Sequence, residues 1–126
     1  MSAHGLTFDT GVLLALERRR QRAWEIVRRA QQRAVTITVP TPVVGEWWRG
    51  RSDVRDAIRL SVRIEPLTEG VARLAGEALA EVPRATVIDA FVMASAALRG
   101  DVVYTSDLDD LERLRTFFPG VRVLAI

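Results

Sequence analysis

Short β-branched runs alternate with helical stretches along the whole chain, and this alternation limits the possible folds more than any other feature. Leu6-Thr7-Phe8, Val35 to Val39, Val62 to Leu67, Val102-Val103-Tyr104-Thr105 and Val121 to Ile126 read as strands. After the first strand, Val12, Leu13, Leu16, Trp24, Val27 and Ala30 keep near-helical spacing, with Arg18, Arg22, Arg29 and Arg33 on the wet side. Pro40 and Pro42 end the second strand and open a helix carrying Val43, Val44, Glu46 and Trp47. Ser52 and Asp53 signal the start of another, which reaches Leu60. Thr68 and Glu69 begin a helix through Glu81; Pro83 then separates it from an Ala-rich helix over Thr86 to Leu98 that Gly100 stops. Asp107 to Phe117 is the last helical stretch. Strands separated by helices predict a parallel, doubly wound α/β sheet of four to five strands with helices on both faces. At 126 residues, with no internal repeat or linker, the expectation is one domain over 1–126.

Composition removes several chemistries. The chain has no Cys, which excludes disulfides, thiolate catalysis and thiolate zinc sites. All 18 basic residues are Arg, so no lysine is available for a Schiff base, a phosphate loop or an aspartyl phosphate. That argues against phosphoaspartate proteins on a related sheet, namely receiver domains and haloacid-dehalogenase-type phosphatases. Asp9-Thr10-Gly11 also lacks the second carboxylate two residues on. No apolar run approaches the roughly 20 residues that cross a bilayer. Met1 to Gly5 has neither a charged start nor a cleavable apolar segment, so a cytoplasmic protein is expected, and the Lys-free, Arg- and Ala-rich composition suggests a GC-rich bacterial genome.

Of the eight Asp and eight Glu, Asp53, Asp56, Glu69, Glu77 and Glu112 fall on helix starts or polar faces, where a solvated charge needs no function. Asp9, Glu46, Asp89 and Asp107 instead follow or interrupt apolar sequence. Asp9 ends the first strand and Asp107 follows the fourth. In a parallel sheet those ends share one edge, and the two converge if the strands are neighbours across the point where strand order reverses. Asp89 lies in Val87-Ile88-Asp89-Ala90-Phe91-Val92-Met93 and Glu46 in Val43-Val44-Gly45-Glu46-Trp47-Trp48, segments expected to be mostly buried. A buried carboxylate needs a cation or strong donors. Each residue also has a plain explanation: Asp9 as a helix cap, Asp107 as an acidic helix start, Asp89 paired with an arginine, Glu46 paired with Arg49. Their joint placement favours a shared site. Four carboxylates together need a divalent cation, and hard oxygen ligands suit Mg²⁺, with Mn²⁺ as a substitute, better than Zn²⁺. Such a site positions a phosphodiester and activates water against it.

With these residues in view, the chain resembles the PIN-domain family and, within it, the VapC-like toxins of type II toxin–antitoxin systems. The resemblance covers nearly the whole length. It rests on Phe8-Asp9-Thr10-Gly11-Val12-Leu13-Leu14-Ala15-Leu16, Glu46-Trp47-Trp48-Arg49-Gly50, Val87-Ile88-Asp89-Ala90-Phe91-Val92 and Thr105-Ser106-Asp107-Leu108-Asp109-Asp110-Leu111, in that order and spacing. It implies a three-layer PIN-like sandwich and a metal-dependent endoribonuclease (a hydrolase) whose acidic site is Asp9, Glu46, Asp89 and Asp107. Thr10, Thr105 and Ser106 would stand beside the ligands and Asp110 outside them. Some relatives carry an acid three positions before the Asp89 equivalent; here it is Thr86. The resemblance also implies an RNA substrate, homodimerisation and a VapB-like antitoxin that blocks the site. A non-catalytic PIN-like module that binds RNA or protein is the alternative.

Arg49 and Arg51, close in sequence to Glu46, are candidates for RNA phosphate contacts. The arginines between Arg18 and Arg33 could steer phosphates, although a solvated helix face explains them more simply. At least one of Trp47 and Trp48 belongs to the core. The Ala-rich stretches Ala72 to Ala80 and Ala90 to Ala97 offer surfaces for a dimer, and His4 has no assigned role.

Overall fold

The computed structural model describes residues 4–126; Met1 to Ala3, part of the N-terminal segment read above, lie outside the described residues. Five strands form one parallel sheet: β1 (Leu6–Phe8), β2 (Ile37–Pro40), β3 (Arg63–Glu65), β4 (Val102–Thr105) and β5 (Val123–Ala125). Their spatial order is β3-β2-β1-β4-β5, so the chain builds outward from β1 to one edge and then returns to build the other. The reversal lies between β1 and β4, which pair in parallel with Phe8 opposite Tyr104. The α/β sandwich expected from the alternation is therefore the fold found.

Seven helices connect the strands: α1 (Thr10–Glu17), α2 (Gln21–Gln32), α3 (Thr41–Trp47), α4 (Asp53–Ser61), α5 (Glu69–Glu81), α6 (Val87–Arg99) and α7 (Leu108–Leu114). They lie on both faces. Thr7 meets Arg99 of α6 on one side of β1, while Leu6 and Tyr104 line the other side with Ile26 and Ala30 of α2. Capping follows the sequence signals closely. The hydroxyls of Ser52, Thr68 and Thr86 accept from the amides of Arg55, Val71 and Asp89, and Gly100 ends α6 at φ +77°. Among the described residues no helix is long and apolar enough to cross a membrane.

Two expectations change. The helical pattern after β1 is two helices, because Arg19 takes φ +60° and turns the chain between Arg18 and Arg20 without any glycine or proline. The Ala-rich stretches are largely interior, with Ala80 exposed and Ala72 and Ala97 half-buried. Ala75 and Ala78 of α5 and Ala90, Ala94 and Ala96 of α6 are buried, their small side chains letting these two helices pack closely together.

One polar cluster fixes α6 to the sheet and was not anticipated. The Arg99 guanidinium donates to Glu65 at the end of β3, to Ser95 one helical turn back, to the Asp101 carboxylate at 2.9 Å and to the Thr7 hydroxyl at 2.7 Å. Thr7 in turn donates to Asp101 at 2.8 Å. Every buried side-chain polar atom among the described residues has a partner.

Candidate metal centre

Because β1 and β4 lie side by side in register, the residues that follow them emerge at one edge of the sheet. Asp9 is the cap of α1: its Oδ1 accepts from the Val12 amide at 3.1 Å, and its Oδ2 accepts from the Thr105 hydroxyl. The Thr105 hydroxyl oxygen also accepts from the Asp107 amide at 2.8 Å, so one threonine ties the Asp9 side chain to the backbone of Asp107. Asp89 stands in the first turn of α6, with Thr86 capping that turn. Glu46 comes from the last turn of α3 and accepts a hydrogen bond from the Thr10 hydroxyl.

Burial differs sharply among the four. Asp9 is buried, Asp89 is half-buried, and Glu46 and Asp107 are exposed. The burial expected for Glu46 is thus not found: Val43 and Trp47, four residues apart, take the inner face of α3, and Glu46 points away from it. Trp47 is the core tryptophan, its indole N–H donating to Glu17 at 2.9 Å.

Electrostatics nevertheless link the group. Burial pushes the Asp9 carboxyl up from 3.8 to about 6; donation from Thr105 and Val12 opposes this, and the charge of Asp89 adds to it. Asp89 is raised by burial, against hydrogen bonding from Thr86, and further raised by the charges of Asp110, Asp107 and Glu46. Asp107 is raised chiefly by its hydrogen bond with Asp110, while Asp110 is held low by that bond and by Arg113 at 2.8 Å. Among the described residues none of Asp9, Glu46, Asp89 and Asp107 has an arginine partner. The pairings of Glu46 with Arg49 and of Asp89 with an arginine are absent: Arg49 donates to the Trp48 carbonyl at 2.7 Å, and Arg51 pairs with Asp56. Asp107, although at a helix start, makes no side-chain capping bond.

These carboxylates fit a hard divalent cation by donor chemistry, since mutual repulsion with no arginine paired directly to any of the four is what such an ion relieves. Among the described residues, no three acidic or histidine side chains form a ready-made cage. An open arrangement of this kind suits Mg²⁺, which keeps several of its waters and takes few protein ligands.

Gly11 is a constraint that the sequence reading passed over. A Cβ there would stand 1.7 Å from the Ser106 hydroxyl oxygen and 2.9 Å from the Ser106 Cβ, so the β4–α7 connection closes on α1 only because residue 11 has no side chain. The available signal was a glycine inside the first turn of a helix, where it is a poor helix former.

A family model described as PIN domain matches residues 6–116. Solved structures share the fold. VapBC2 from Rickettsia felis, bound to a DNA fragment from its promoter, superposes with a TM-score of 0.77 at 12% identity, over 96% of this chain and 98% of that one. DNA-bound VapBC from Salmonella typhimurium gives 0.77 at 18% identity over 98% of each chain. A toxin–antitoxin complex from Klebsiella pneumoniae gives 0.70 at 18% identity, over 95% of this chain and 96% of that one. No curated protein sequence matches the chain significantly.

Proposed function

The chain belongs to the PIN-domain family, whose members are generally nucleases that use divalent metal ions, and we propose that it is a Mg²⁺-dependent endoribonuclease, the toxin of a VapC-like toxin–antitoxin pair. The observation that carries this reading is the placement of Asp9, Glu46, Asp89 and Asp107 around one sheet edge with no arginine to balance them. Those four residues would hold Mg²⁺, or Mn²⁺ in its place. The ion would supply charge neutralisation on a phosphodiester and a more acidic water.

The chain's own groups prepare that site. Val12 and Thr105 orient the two Asp9 oxygens, Thr10 orients Glu46, and Thr86 fixes the turn that presents Asp89. Thr105 also holds the Asp107 backbone, leaving the Asp107 carboxylate beside Asp110. Ser106 closes against Gly11 and keeps the connection from drifting outward. Arg49 and Arg51, which follow Glu46 closely in the chain, would meet RNA phosphates, Arg51 by leaving its pair with Asp56.

A VapB-like antitoxin is the proposed partner, supported by the toxin–antitoxin complexes among the structures that share the fold. A homodimer in the bacterial cytoplasm and a single domain over 1–126 complete the reading. Cleavage of RNA by purified protein tests it: Mg²⁺ should permit cutting and EDTA should stop it. Asp9→Asn or Asp89→Asn should lower the rate by at least about a hundredfold, the scale expected for disturbing a metal site. A folded, metal-supplied protein that cuts no RNA would leave the non-catalytic module in its place.

A further inference from the structure

Beside the acidic edge lies a cleft of about 310 Å³ that the metal site does not use. It is lined by Gly11, Leu14 and Ala15 of α1, by Arg18 and Arg20 just after that helix, and by Ser106 and Ile126. Gly11 follows Asp9 by two residues and Ser106 immediately precedes Asp107, so two of the residues lining the cleft neighbour the site's carboxylates in the chain.

Arg18 and Arg20 are exposed, and among the described residues neither meets a carboxylate. Their placement comes from the backbone. The Arg18 and Arg20 amides donate to the Leu14 and Ala15 carbonyls, both at 2.9 Å, and Arg19 between them sits at φ +60°. A left-handed, non-glycine turn thus sets two guanidinia at the end of α1. Other arginines of this region are placed differently. Arg22 donates to the Ala125 carbonyl, while Arg28 and Arg29 line clefts that contain neither Gly11 nor Ser106.

We propose that Arg18 and Arg20 form a phosphate subsite that holds the RNA backbone next to the scissile position. The proposal rests on the nuclease reading and deepens it. A cluster of carboxylates repels a polyanion along most of its length, whatever happens at the single phosphate over the ion. A strand entering that edge needs cationic groups immediately beside it. Guanidinia without carboxylate partners supply them, with fork geometry matched to phosphate oxygens and no ion pair to break first. Leu14 and Ala15 add apolar surface to the cleft lining, and Ser106, next to Asp107 in the chain, adds a hydroxyl.

The test measures binding of a fluorescein-labelled oligouridylate by anisotropy across a salt series, using Asp89→Asn protein with Mg²⁺ so that no strand is cut. Adding Arg18→Ala with Arg20→Ala should weaken binding roughly tenfold and make the slope of log K against log salt shallower by about 1. Arg28→Ala with Arg29→Ala removes the same charge from α2 and should change affinity by no more than about twofold. Equal losses from both pairs, or no loss from Arg18 and Arg20, overturn the subsite. So does retained RNA binding with lost binding of a polyglutamate peptide, which would assign the cleft to a protein partner. Cleavage by the wild-type protein separates the two levels. RNA held through Arg18 and Arg20 but never cut sinks the nuclease reading alone, whereas Mg²⁺-dependent cutting indifferent to both arginines sinks the subsite alone.

Discussion

Asp9 combines the deepest burial in the acidic group with two donors aimed at it, and its titration has consequences for the whole chain. Its carboxyl holds a proton up to about pH 6 in the folded protein, against 3.8 as the ordinary value. Stability contributed by protonated Asp9 is complete below about 3.8 and is lost as the pH rises through about 6, a change on the order of 3 kcal/mol. Metal-free protein should therefore melt higher at roughly pH 5 than at roughly pH 7.5 on this account, and Asp89, raised as well, acts in the same direction. Thermal melts in EDTA check it: Asp9→Asn should flatten the difference, and Mg²⁺ should stabilise the wild type more at the higher pH. Parallel profiles for the two proteins would contradict it. Gly11 gives a second test at this scale. Gly11→Ala forces the Ser106 connection outward and pulls Thr105 from Asp9, so it should cost about 1–3 kcal/mol, the range for overpacking. Adding Ser106→Gly removes both clashing atoms, and chemical denaturation should show most of that loss recovered.

Among the elements, helix limits marked by chemistry were legible in advance. Thr86 and Gly100 bracket α6 because a hydroxyl cap and a left-handed glycine are local devices. The break between α1 and α2 was not, since it depends on Arg19 accepting φ +60°, which no residue type there announces. The exposure of Glu46 escaped for a related reason: α3 is too short to display a period, and Trp47 next to it looks equally apolar on either side. Arg99 was invisible as well, because two of its partners, Thr7 of β1 and Glu65 at the end of β3, lie far from it in the chain. Arg99→Ala leaves the buried Asp101 without a cation and should cost about 3 kcal/mol in urea unfolding, whereas Arg59→Ala, on an exposed turn, should cost little. A loss under about 0.5 kcal/mol for Arg99→Ala would mean that the cluster does not fasten α6.

At the scale of the molecule, function and topology meet at the reversal between β1 and β4. The alternation of the strands with helices argued a parallel sheet but not its strand order, and the convergence of Asp9 with Asp107 hung on β1 and β4 being neighbours, which they are. Glu46 and Asp89 join from helices whose starts lie far along the chain, so their approach depends on packing that spacing alone does not specify. The resemblance to PIN domains supplied that link, and the described residues add the unequal burial, the Gly11 contact and the arginine cleft. The claim on which everything else depends is that four carboxylates act on one ion. Calorimetric titration of Mn²⁺ into metal-free protein tests it most directly, comparing the wild type with Asp9→Asn, Glu46→Gln, Asp89→Asn and Asp107→Asn, and with Asp53→Asn as a surface control. The account predicts one saturable site whose affinity falls at least about tenfold in each of the four variants and stays unchanged in the control. Wild-type affinity retained in Asp9→Asn and Asp89→Asn, or losses no larger than in Asp53→Asn, would contradict it.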